Sequence, residues 1–184
     1  MFSCSLARMT LDRLCLYGLL FFTLPLVVSC LGTDLRGGIL RYESGVAYSG
    51  LTQFTTGKLP SPWKGPELRL KQLVFKNDVL GATIVSDALC GPKYNDAPLT
   101  RLAQDLFLGM MDKKIEKEIF FTLLGREALS LQGVGKVDGV PIKMNVVVLK
   151  RNFCEYDFVY FAPPNLFHQG IKDFEDYWHG IQIR

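Results

Sequence analysis

The sequence predicts an α+β domain built on an antiparallel β-sheet of about six or seven strands, preceded by a cleaved signal peptide. Three observations carry this. Asp138-Gly139 lies between two apolar-patterned runs and is the strongest hairpin signal in the chain. Strand-like runs follow one another from residue 127 to residue 161. Two segments, one after Pro98 and one after Pro163-Pro164, instead repeat their apolar residues every third or fourth position, as helices do.

The 184 residues hold one domain and a targeting segment. Arg8 and Arg13 begin a leader whose apolar run, Leu14 to Val28, is too short to span a bilayer as a helix, which takes roughly 20 residues. Pro25 also argues against a continuous span. Val27-Val28-Ser29-Cys30 resembles the bacterial lipobox, so Cys30 is the expected lipidation site and first mature residue. Acyl chains on its thioether and amine suffice for stable anchoring. Leu31, where an Asp would signal retention at the inner membrane, favours the outer membrane with the domain facing the periplasm. The expected organisation is signal peptide 1–29, flexible glycine-rich tether 30–50 and folded domain 51–184. Without Arg8, Arg13 and Asp12 the net charge falls from +3 to +2, which gives no sign of nucleic-acid binding.

Along the domain, Leu51 to Thr56 predicts a short strand, and Leu59 to Pro66, with three prolines, a loop pinned by Trp63. Glu67–Lys76 and Val79–Ser86 predict a hairpin about Asn77-Asp78. Ala88 to Pro98 is then a loop containing Cys90. Leu99, Leu102, Leu106 and Met110 predict a helix from Pro98 to about Met111. Lys113 to Lys117 resembles a charged turn leading into a strand at Ile119. Strands follow at 127–136, 140–150 and 153–161. On the middle one, Met144, Val146 and Val148 form an apolar face, and Val147 and Leu149 make the other face partly apolar, as in a central strand. Phe167, Ile171, Phe174 and Trp178 share one stripe of a final helix over 165–180.

From Leu51 to Gly180 this order of parts resembles the PsbP/Mog-type fold. The matching features are Pro62-Trp63, the mid-chain helix, Gly125-Arg126-Glu127-Ala128 and the helix after Pro163-Pro164. More closely, the chain resembles uncharacterised bacterial lipoproteins of this fold, in which a Cys before the first helix and a Cys in the last strand recur, as Cys90 and Cys154 do here. The resemblance implies helices on both faces of the sheet and a role in binding or assembly, with no catalytic residues to transfer.

Cleavage before Cys30 leaves Cys90 and Cys154 as an even pair in an oxidising compartment, where a disulfide is expected; two buried thiols are the alternative. His168 and His179 are about 16 Å apart along one helix, too far to share a metal, and no metal or cofactor is expected. Asp105, Asp112, Glu116 and Glu118 intermix with lysines as a solvated turn does, and Asp173, Glu175 and Asp176 suit the wet face of the last helix. No nucleophile–base, HExxH or phosphate-loop pattern occurs. Aromatics are concentrated where the last strand and last helix pack. Members left on the surface, with Trp63, Tyr156, Tyr160, Tyr177 and Trp178 as candidates, would form a partner or ligand surface. The expectation is a non-catalytic, lipid-anchored module that docks an envelope protein. The alternative is a carrier of lipid or another apolar small molecule.

Overall fold

A computed structural model describes residues 37–50, 52–91 and 97–184. The signal peptide and Cys30 lie outside the described residues. Among the described residues, eleven strands and two helices follow in order: β1 (Ile39–Glu43), β2 (Val46–Ser49), β3 (Gln53–Thr55), β4 (Lys64–Arg69), β5 (Gln72–Asn77), β6 (Ala82–Cys90), α1 (Leu99–Asp105), β7 (Met111–Leu123), β8 (Arg126–Val137), β9 (Val140–Arg151), β10 (Cys154–Ala162), α2 (Phe167–His179) and β11 (Gln182–Ile183). Seven strands form one antiparallel sheet in the order β4-β5-β6-β10-β9-β8-β7. A second sheet, in the order β1-β2-β3-β11, was not expected from the sequence.

That second sheet corrects the tether. Residues 39–49, predicted to be flexible, form the β1–β2 hairpin, turned at Ser44-Gly45 where both residues have positive φ. Ile39 and Ala47 from this hairpin are buried with Phe54 of β3. The glycines mark turns within an ordered structure there. Apolar burial decides the outcome over glycine content.

The first large hairpin is also re-divided. Leu70-Lys71 takes a left-handed turn, with φ of 49° and 66°, and splits the predicted strand 67–76 into β4 and β5. β4 starts inside the proline-rich stretch. Pro66 is tolerated because β4 is an edge strand, where a missing N–H need not face a neighbour. β6 continues through Cys90, so that cysteine belongs to a strand and not to the predicted loop.

α1 ends at Asp105, well short of Met111. Gly109, at φ 86°, redirects the chain, and Met111 opens β7. The charged stretch 113–117 is therefore strand, not turn. β7 is the outer edge of the sheet and almost wholly exposed, which suits lysines and glutamates on both of its faces. β8, β9, β10 and α2 fall close to their predicted places, and Asp138-Gly139 makes the turn between β8 and β9.

Alternation along β9 divides the core. Val147 and Leu149 pack in a cluster with Phe167, Phe174, Tyr177 and Trp178 of α2. Met144, Val146 and Val148 pack with Leu99 and Ala103 of α1 and with Phe107. Successive residues of a strand point to opposite faces, so the two helices lie over opposite faces of the seven-stranded sheet. The small sheet shares the α2 side through Ile39, Ala47 and Phe54.

Candidate functional site

β10 is the middle strand of the large sheet, and its sequence alternates between two chemistries. Tyr156, Phe158 and Tyr160 point toward α2. Glu155 and Asp157 point to the α1 side, where Val159 and Phe161 also pack.

The aromatic side corrects the predicted partner surface. Tyr156, Tyr160 and Tyr177 are fully buried, Trp178 nearly so, and Trp63 is partly buried against the same cluster. Each tyrosine hydroxyl has an internal partner, which is what permits burial. The Tyr156 and Thr52 hydroxyls meet at 2.8 Å, and those of Tyr177 and Ser86 at 2.6 Å. Tyr160 donates to the Phe167 carbonyl at 2.9 Å. Burial pushes the Tyr160 and Tyr177 hydroxyls up to about 12. The Trp63 indole donates to Asp173 at 2.9 Å, and Trp178 packs on Phe121 with ring centroids 5.0 Å apart. The three tyrosines and Trp178 are thus interior side chains, and Trp63 alone of the five keeps a partly exposed face.

The other side of β10 carries a feature that the sequence reading missed. Asp157 sits directly opposite Asp87 of β6, and Glu155 lies two residues along. All three carboxyl groups are buried. Asp87 accepts from the Ala88 amide at 2.7 Å and from Gln72 at 3.3 Å. Glu155 and Asp157 are hydrogen-bonded to each other, and Oδ1 of Asp157 has no hydrogen-bond partner. Burial raises all three; Glu155 reaches about 7, and Asp157 is lifted further by the charges of Glu155 and Asp87. The Glu155–Asp157 pair therefore retains a proton at neutral pH. Lys150 on β9 pulls Glu155 the other way, and Asp105 of α1 adds to the repulsion. Among the described residues, no three His, Cys, Asp or Glu side chains are arranged to hold a metal ion. Two acids at alternate positions inside an aromatic central strand are the signal that would have found this cluster.

Register brings several further residues to one end of the sheet. Cys154 pairs across with Cys90 on one side and Arg151 on the other. The two cysteines are joined by a disulfide that links neighbouring strands. Beside it opens a groove of about 640 Å³, lined in part by Leu99, Phe120, Arg126, Lys150, Arg151 and Phe153. Arg151 donates to the Leu124 carbonyl at 2.7 Å, and Lys150 to the Ala97 carbonyl at 2.8 Å. Phe153 is 68% exposed and Phe120 49%. The groove thus combines cations with exposed aromatic rings, beside one acid, Glu127. His168 and His179 lie on the exposed side of α2.

No family model matches the chain, and no curated protein does. Solved structures do. LpqN of Mycobacterium tuberculosis, described as involved in cell envelope biogenesis, shares the fold with a TM-score of 0.50 at 14% identity, over 71% of this chain and 83% of LpqN. The cyanobacterial PsbP of Synechocystis sp. PCC 6803 is similar with a TM-score of 0.49 at 11% identity, over 86% of this chain and 99% of that one. A Pseudomonas aeruginosa protein of unknown function, PA94, has a TM-score of 0.48 at 15% identity, over 76% and 92% of the two chains.

Proposed function

We propose that this chain is a non-catalytic module of the bacterial cell envelope, anchored through acyl chains on Cys30, whose folded domain docks an envelope protein. The observation that carries this reading is the lipobox-like Val27-Val28-Ser29-Cys30 at the end of an apolar leader, seven residues before the first described residue, Gly37. The Cys90–Cys154 disulfide supports an oxidising compartment. The fold shared with LpqN supports an envelope role. Anchoring confines the domain to a surface and raises its effective concentration toward partners there.

The proposed test is crosslinking in intact cells, followed by recovery of the acylated protein. One dominant envelope partner is the expected result; a chain recovered repeatedly without any crosslinked protein defeats the docking part. The carrier reading needs an apolar chamber. The space between the sheet and α2 is filled by Phe158, Tyr160, Phe174 and Tyr177, all 0% exposed, which favours docking over carriage.

A further inference from the structure

Three turns lie at the same end of the seven-stranded sheet as the disulfide: Leu70-Lys71 between β4 and β5, Leu124-Gly125 between β7 and β8, and Asn152-Phe153 between β9 and β10. Strand spacing of about 4.8 Å spreads them over roughly 24 Å along the sheet edge. Each turn places a large apolar residue in the left-handed region, with φ of 49° at Leu70, 51° at Leu124 and 60° at Phe153. Such backbone is uncommon for any residue except glycine, and Asn or Asp is the usual substitute. Their side chains are 96%, 37% and 68% exposed. Conformational cost and apolar exposure therefore coincide three times over, a combination that points to function.

Charge distinguishes this end from the other. Lys71 lies in the first of these turns, Arg126 and Arg151 flank the other two, and none of the six turn residues is acidic. At the opposite end, the turns before β6 and between β8 and β9 carry Asp78 and Asp138. Val79, Val137 and Val140 are exposed at that end too, but each lies beside an acid: Asp78, which pairs with Lys64 at 2.6 Å, or Asp138. The first left-handed position of the β8–β9 turn is Asp138, at φ 50°, where two of the three turns at the basic end have Leu70 and Leu124 and the third has Asn152.

The chain also joins the sheet at the basic end. Gly37 is bridged to Leu89, next to the disulfide, and the Ile39 amide donates to the Lys71 carbonyl at 2.6 Å. Cys30 is seven residues upstream of Gly37, a reach of at most about 25 Å.

We infer that this end of the sheet rests on a lipid surface bearing anionic headgroups. Leu70, Leu124 and Phe153 enter the boundary between headgroups and acyl chains, while Lys71, Arg126 and Arg151 meet lipid phosphates. The inference rests on the proposed anchoring at Cys30 and goes beyond it, because an anchor alone leaves the domain free to tumble. Each cation near an anionic surface contributes about fivefold in surface affinity. The anchor supplies the local concentration that lets so small a patch engage.

The test uses the full acylated protein in phosphatidylethanolamine vesicles made with or without phosphatidylglycerol, read by hydrogen exchange. Amides of residues 70–71, 124–125 and 152–153 should exchange about fivefold or more slowly when phosphatidylglycerol is present, with residues 78–81 and 138–139 unchanged. Leu70→Asn/Leu124→Asn/Phe153→Asn keeps residues that tolerate positive φ and should abolish the protection while leaving the melting temperature in place. Arg126→Gln/Arg151→Gln should remove the dependence on phosphatidylglycerol. Equal exchange at both ends of an acylated, vesicle-bound chain overturns the inference. Intact mass distinguishes the two readings. A chain without acyl groups defeats the anchoring. Sedimentation of that same chain with phosphatidylglycerol vesicles, lost in the triple Asn variant, would still support the docking face, and no sedimentation would overturn it.

Discussion

Gly57 and Gly180 pack backbone against backbone: a β-carbon built on Gly180 would lie 2.5 Å from the α-carbon of Gly57. The Gly57 amide also donates to the Tyr177 carbonyl at 2.8 Å, and a β-carbon on Gly57 would collide with the carbonyl of Asp176. This contact seats the end of α2 against the segment after β3. Gly57→Ala should therefore destabilise the domain by roughly 1–3 kcal/mol, the range for overpacking a filled site. Denaturant unfolding measures it. A midpoint equal to that of the parent would show that the two segments separate easily.

The disulfide closes a loop across a sequence separation of 64. In the chain-entropy model such a loop contributes about 4 kcal/mol. Cys90→Ala/Cys154→Ala should lose most of that stability while keeping its far-ultraviolet spectrum at low temperature, since the β6–β10 ladder spans eight pairs. Denaturant titration of the double variant beside the oxidised parent checks this.

The carboxyl pair on β10 makes stability depend on pH. Glu155 and Asp157 are raised in the folded chain, so between the ordinary carboxylate range and about 7 the folded state binds more protons than the unfolded. The contribution of Glu155 is fully present below its ordinary value and is lost as pH rises through about 7, and Asp157, raised by burial and by its acidic neighbours, acts in the same sense. The melting temperature should thus fall between about pH 5 and about pH 8. Glu155→Gln/Asp157→Asn should flatten that slope and stabilise the protein at the alkaline end. Asp78, Asp112 and Glu116 are held low by lysine partners and act in the opposite sense at lower pH. They are surface ion pairs of small weight. A melting temperature that rises across the window would refute the assignment.

Trp63 ties the proline-rich loop to α2 through its bond to Asp173. Trp63→Phe keeps a ring near Tyr160, whose centroid is 6.4 Å away, but removes the donor. The expected cost is about 1 kcal/mol, and Asp173→Asn should cost less because the amide oxygen still accepts. Proteolysis within residues 57–62 offers a second reading of the same change: cleavage should quicken in Trp63→Phe.

Where burial imposes a period, the sequence was readable. β9 carries an apolar run from Val146 to Leu149 because both of its faces are covered there, and Val147 and Val148 go to different clusters as a central strand requires. α2 shows its stripe because only one side is buried. β7 hid its nature because an exposed edge strand has little need of alternation, so Lys113 to Lys117 looked like a turn. The tether was misjudged because Ile39 and Ala47 are few among glycines, yet they reach the core through partners far along the chain. The aromatic candidates were legible as a group. Their packing between the last strand and the last helix was legible too; which of the tyrosines would be wholly enclosed was not, since that depends on hydroxyl partners such as Ser86 and Thr52 that no local pattern announces. Glu155 and Asp157 escaped notice because carboxylates are usually assigned to wet faces.

The bridge between Gly37 and Leu89 has a mechanical consequence. Tension transmitted along the amino-terminal lead enters the domain beside the covalent link between β6 and β10. Pulling there loads the Gly37–Leu89 bridge first and then the bond from Ile39 to Lys71. The central pair cannot be unzipped from that corner, because its first rung is a chemical bond. A load on the lead would peel the small hairpin away and leave the large sheet intact.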